Sequence, residues 1–122
     1  MYDRGMIKLV ALDLDGTVVN DHLKISPRVL QLLGHLITRT NVRVVIATGR
    51  MFLSALPFAR QIGIVEPLVS YQGAMIRDLN DGHTLRFHAP IRMELAKEVM
   101  QTLLAEKYHV NLYMNDSLWT HP

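Results

Sequence analysis

Asp13 and Asp15 are the residues of this chain whose type and spacing most plainly do chemistry. They stand one residue apart at the end of the apolar run Leu9-Val10-Ala11-Leu12, in the string Asp13-Leu14-Asp15-Gly16-Thr17. In open parallel sheets, ligands bind outside the carboxyl ends of the strands, so acids placed there face a site. Two crowded carboxylates repel unless a cation or a shared proton relieves them. Hard oxygen ligands of this kind suit Mg2+, which commonly binds together with phosphate. The expected chemistry is therefore Mg2+-assisted phosphoryl transfer, one carboxylate attacking phosphorus and the other handling protons. Gly16 lets the chain turn sharply behind them and keeps room for a phosphate beside the backbone.

A second constellation, Thr48-Gly49-Arg50, ends the next β-branched run, Val42 to Ala47. A threonine hydroxyl, a glycine amide and a helix start make an anion cradle, and Arg50 adds a forked cationic donor. An N-capping threonine beside a surface arginine is the plainer alternative for the same residues. A third group, Tyr71-Gln72-Gly73-Ala74, follows a third short run. Gln72 and Gly73 are weaker substrate candidates, since a turn needing glycine accounts for them equally well. The six histidines show no metal-ligand spacing, and no nucleophile elbow, dinucleotide fingerprint or nucleotide P-loop is present. Met93, Met100 and Met114 are expected as core filler.

These residues must be held by elements, and the patterning supplies them. Ile7 to Leu12 reads as a strand covered on both faces. Ser26-Pro27 predicts a capped helix start, followed by Val29, Leu30, Leu32, Leu33, Leu36 and Ile37 at helical spacing. The next helix runs to Gly63 as a C-cap, with a break expected at Pro57. Pro67 to Tyr71 is the third strand. Alternation of this kind signals a parallel α/β sheet with right-handed crossovers. Ala74–Arg77 and Thr84–His88 flank Asn80-Asp81-Gly82, a hairpin signal. A helix over Ile91–Lys107, with Leu95, Val99 and Leu103 on one face, a strand over Val110–Met114 and a turn at Asn115-Asp116 follow. The expected boundary lies near residue 83, with the second unit running to Trp119-Thr120-His121-Pro122 before a core of its own can close.

Composition narrows the setting. The chain has 122 residues, about half apolar, and carries a net charge of +2. Its 13 basic residues are scattered from Arg4 to Lys107 without a stripe, which argues against nucleic-acid binding. The absence of cysteine removes disulfides and thiolate metal sites and fits a cytoplasmic location. No segment reaches a transmembrane length, Met1 to Gly5 lead into a strand, and Met6 is an alternative start.

Taken together, Asp13-Leu14-Asp15-Gly16-Thr17, Ile46-Ala47-Thr48-Gly49-Arg50 and Tyr71-Gln72-Gly73-Ala74 resemble the haloacid dehalogenase-like superfamily, most closely its Cof-like phosphatase branch. The resemblance implies a partial Rossmann-like parallel three-layer core over residues 1–83 and the beginning of an α+β cap over 84–122. It implies Asp13 as the nucleophile that forms an aspartyl-phosphate and ligates Mg2+. Asp15 would be the general acid/base, with its backbone carbonyl on the metal. Leu14, Thr48, Gly49 and Arg50 would make up the phosphate-binding set, and the implied substrates are small phosphorylated metabolites such as sugar phosphates. The family pattern favours asparagine where this chain has Gln72. It also continues with a lysine and an acidic motif after the cap; Lys97 and Lys107 lie on the cap helix and are not that lysine by order.

The chain is thus expected to be the N-terminal part of a longer enzyme, with the strand over residues 7–12 as an exposed apolar edge that invites self-association. A phosphomutase of the same family and a non-catalytic remnant acting as a binding or assembly piece remain alternatives. A phospho-acceptor receiver domain fits less well, because its acids are adjacent and its acceptor aspartate follows a later strand.

Overall fold

The computed structural model describes residues 7–80 and 82–121; Asp81 of the expected hairpin turn, the leading residues with Met6, and Pro122 lie outside them. The chain divides into two compact units, one ending at His88 and one beginning at Ala89. The division therefore falls after His88 rather than near residue 83, because the strand at residues 85–88 is hydrogen-bonded into the first unit.

In the first unit, β1 (Leu9–Leu12) pairs in parallel with β2 (Arg43–Ile46), in the register Leu9 to Arg43 and Leu12 to Ile46. A parallel bridge from Ala47 to Val69 joins β2 to β3 (Leu68–Ser70). β3 then pairs antiparallel with β4 (Met75–Arg77), and β4 with β5 (Leu85–His88). The two parallel connections carry α1 (Pro27–Arg39) and α2 (Phe52–Ile62). α1 starts as its sequence requires: Ser26 Oγ accepts the Val29 N–H at 3.3 Å, and Pro27 takes the first helical position.

α2 runs through Pro57 without the expected break and ends at Gly63 in a left-handed conformation, φ 85°. Proline deletes one hydrogen bond and crowds the carbonyl four residues earlier. Here that residue is Leu53, in the first turn and nearly half exposed. Burial of Phe52, Ala55, Leu56, Ala59 and Ile62 holds the helix on the sheet regardless. The apolar core gathers Leu14, Val19, Val44, Ile46, Phe52 and Leu68, each no more than 2% exposed. Each large side chain buried this way contributes roughly 1.5–3 kcal/mol.

β1 departs from its expected covering. Leu12 packs against the core with the helix residues Val29, Leu33 and Leu36, while the alternate Leu9 and Ala11 are exposed. Side chains alternate across a strand, so the helices that meet Leu12 leave Leu9 and Ala11 on the opposite face. The edge of β1 away from β2 takes no strand among the described residues.

The second unit holds α3 (Met93–Ala105) and the hairpin of β6 (Val110–Met114) with β7 (Ser117–His121). Its two-residue turn sets Asn115 at φ 51° and Asp116 at φ 57°, the left-handed pair that a tight hairpin demands. None of its described residues is buried. Met93, Met100 and Met114 accordingly lie outside any buried core. No helix among the described residues is long and apolar enough to cross a membrane.

Candidate functional site

The site grows from the way β1 stops. The Leu14 carbonyl accepts the N–H groups of Thr17, Val18 and Val19 at 3.2, 3.0 and 2.8 Å, and Gly16 N–H donates to the Val19 carbonyl at 3.0 Å. This single tight turn needs a left-handed residue, and Gly16 supplies it at φ 73°. Leu14, Val18 and Val19 point into the core, fixing the turn from below. Asp13, Asp15 and Thr17, spaced two apart, are left exposed. Leu14 itself is completely buried, so any contact with phosphate comes from its backbone.

The β1–β2 register then brings the second constellation alongside. Ala47 N–H donates to the Leu12 carbonyl at 2.9 Å, setting Thr48 beside Asp13 at the strand ends. Thr48 is 5% exposed; its N–H donates to the Val69 carbonyl, and its Oγ1 accepts the Arg50 N–H at 3.2 Å. With a lone pair engaged by that amide, the hydroxyl keeps its proton for an acceptor in front of it.

Arg50 is where the structure adds most. Its Nε donates to Asp15 Oδ2 at 2.8 Å and its Nη2 to Asp15 Oδ1 at 2.5 Å, a bidentate fork-to-carboxylate pair. The guanidinium also lies over the Phe58 ring, 5.0 Å from its centroid. The Arg50 hydrogen bond is the main reason the Asp15 carboxyl lies below its ordinary range, with burial opposing the shift and the Arg50 charge adding to it. Arg50 thus meets an acid of the site, where the sequence reading had it meet phosphate. Phe58 was not legible as its support, because nothing in helical spacing marks a ring under a distant arginine. Thr17, which the motif includes without a role of its own, has its hydroxyl 3.4 Å from Asp13 Oδ2, a long contact across four residues.

The third constellation closes over the second. Tyr71 N–H donates to the Arg50 carbonyl at 3.0 Å and Gln72 N–H to the Thr48 carbonyl at 3.3 Å. Tyr71 and Gln72 therefore stand at the Thr48–Arg50 loop, with Tyr71, Gln72 and Gly73 all at positive φ.

Two exposed carboxylates on one turn are a hard-oxygen donor set, and Mg2+ needs only one or two protein carboxylates because it keeps several waters. Asp13 fits that part through its side chain. The Asp15 carboxylate oxygens are engaged by Arg50, so Asp15 is left to serve through its backbone carbonyl. Among the described residues there is no group of three or more histidine, cysteine, aspartate or glutamate side chains able to hold a metal.

Comparison with known proteins places the chain among known folds and families. The 5-amino-6-(5-phospho-D-ribitylamino)uracil phosphatase YitU of Bacillus subtilis is 30% identical over 103 residues, covering 84% of this chain and 37% of that protein. An HMP-PP phosphatase of Serratia proteamaculans is 33% identical over 97 residues, covering 80% and 34% respectively. The chain thus spans well under half the length of these relatives. A solved haloacid dehalogenase-like hydrolase from B. subtilis superposes with a TM-score of 0.79 at 27% identity, covering 93% of this chain and 39% of that one. The sequence profile of the haloacid dehalogenase-like hydrolases matches residues 10–122, a span that includes Asp13, Asp15 and Thr48–Arg50, and the chain belongs to that family.

Proposed function

We propose that this chain carries the nucleophile and the phosphate loop of a Mg2+-dependent phosphatase for small phosphorylated metabolites, sugar phosphates among them, working through an aspartyl-phosphate in the cytoplasm. The observation that supports it most is the meeting of Asp13, Thr48 and the Asp15–Arg50 pair at the carboxyl ends of β1 and β2. A carboxylate oxygen of Asp13 attacks phosphorus, and the bond from phosphorus to the leaving oxygen breaks. Asp15 delivers a proton to that oxygen, then removes one from the water that cleaves the aspartyl-phosphate. Thr48 donates its hydroxyl proton to a phosphoryl oxygen, and the backbone amides of Leu14 and Gly49 serve the others. Mg2+, held by the Asp13 side chain and the Asp15 carbonyl, would neutralise phosphate charge. Arg50 holds Asp15 as a carboxylate in the resting site; an incoming phosphate competes for the same fork, and the released Asp15 takes up from solvent the proton that it then delivers to the leaving oxygen.

The test is phosphate release from an aryl phosphate by the purified chain, with and without Mg2+. Activity should require Mg2+ and fall to background, by about a thousandfold or more, in Asp13→Asn. Equal rates in the two proteins, or no release from a folded sample, would count against a working site in this chain. A second proposal concerns assembly. The edge of β1 that takes no strand among the described residues, with Leu9 at 53% exposure and Ile7 before it at 71%, pairs with a second copy. A solution mass twice that of one chain is expected, and a strictly monomeric mass would refute the pairing.

A further inference from the structure

We propose that Gln72 is the positioning residue of the Thr48–Arg50 loop: its carboxamide fills the place that a side chain at position 49 would need, and so keeps that loop in one shape. The inference rests on the proposed function in taking the loop to hold phosphate, but its core is a contact that can be tested separately.

Three observations lead to it. The φ of Gly49 lies outside the left-handed range, so its own backbone does not demand glycine; its neighbour does. A Cβ built there would run into Gln72 Nε2, and would stand 3.0 Å from Cδ and 3.4 Å from Oε1 of the same side chain. Next, Gln72 occupies φ 57°, ψ 32°, and Tyr71 before it has φ 52°. Two successive non-glycine residues in the left-handed region persist only where the surroundings impose them, and such strain clusters at functional sites. Finally, the two amides of this strained turn grip the loop on either side of Gly49: Tyr71 N–H holds the Arg50 carbonyl and Gln72 N–H holds the Thr48 carbonyl. Backbone pins flank Gly49, and the carboxamide stands against its Cα.

The consequence is a matched pair. A side chain at 49 drives the carboxamide away from the loop, loosening the segment that carries the Thr48 hydroxyl and the Arg50 guanidinium. Asparagine at 72 has one methylene less and adopts the left-handed region more readily. It relieves strain in the turn while withdrawing the carboxamide from Gly49.

The experiment titrates Mg2+ and inorganic phosphate into the 15N-labelled chain, following the amides of residues 48–50, with melting temperatures recorded alongside. Gln72→Asn is expected to melt at or above the wild-type temperature yet bind phosphate about fivefold more weakly, a split that a merely structural residue does not give. Gly49→Ala should weaken phosphate to a similar degree or more. The double variant should be no weaker than Gln72→Asn alone, because the clash has already been removed. Additive losses in the double variant, or wild-type affinity in Gln72→Asn, would overturn the proposal. A wild-type chain whose amides ignore phosphate overturns the phosphatase reading instead. The melting temperatures then decide the contact: a Gly49→Ala loss restored by Gln72→Asn upholds it, and an additive loss rejects it.

Discussion

The two units of this chain handle apolar residues in opposite ways. In the first, Phe52, Leu14 and Ile46 are fully buried, and the turn that carries Asp13 and Asp15 is packed from beneath by Leu14, Val18 and Val19. In the second, no described residue is buried: Leu95, Val99, Leu118 and Trp119 are each between 45% and 58% exposed. Both contain a helix of 13 residues and well-formed strand pairs. Local pattern therefore suffices for secondary structure, while precise placement of side chains needs a closed core beneath them. Chemistry that depends on a bidentate contact, such as Arg50 with Asp15, belongs in the unit that has that core.

The sharpest way to break this contrast is to remove one large side chain from each unit. Phe52→Ala should cost about 3–5 kcal/mol in urea unfolding, whereas Leu95→Ala should stay within about 0.5 kcal/mol. Similar costs would erase the distinction. A smaller effect is expected at the surface of the first unit, where Ser26 caps α1. Ser26→Ala should cost about 1 kcal/mol, visible as a lower melting temperature without loss of the α2 packing.

The smallest effect concerns pH. The Asp15 carboxyl lies below its ordinary value in the folded chain, so its pairing adds stability above the unfolded carboxyl range, near pH 4, that is lost as pH falls through the folded value. Because the Asp15 side chain is 55% exposed, solvent screening keeps this contribution small. Melting curves at pH 7 and pH 3 should show a slightly shallower acid loss in Arg50→Gln than in the wild type. A steeper loss would mean that the pair does not favour the charged form.

What could be read before folding was mostly what is local. The Ser26 cap, the Gly63 stop, the Asn115-Asp116 turn and the acids behind a strand all depend on neighbours within a few residues. What could not be read depends on partners far along the chain. Arg50 meets Asp15 across 35 residues, and no spacing rule distinguishes that carboxylate from a phosphate. The break expected at Pro57 failed because sheet burial outweighs one lost hydrogen bond. Leu9 and Ala11 were expected to be covered because an apolar run carries no sign of which faces receive helices. The left-handed pair at Tyr71 and Gln72 is imposed by the loop it grips, and residue type gave no hint of it.

The central claim is that phosphate chemistry sits at the strand ends of the first unit, and amide mapping with Mg2+ and inorganic phosphate tests it most directly. Shifts concentrated at residues 13–17 and 48–50, with β6, β7 and α3 silent, are the predicted result. Shifts confined to the second unit, or scattered over basic side chains in both, would contradict it.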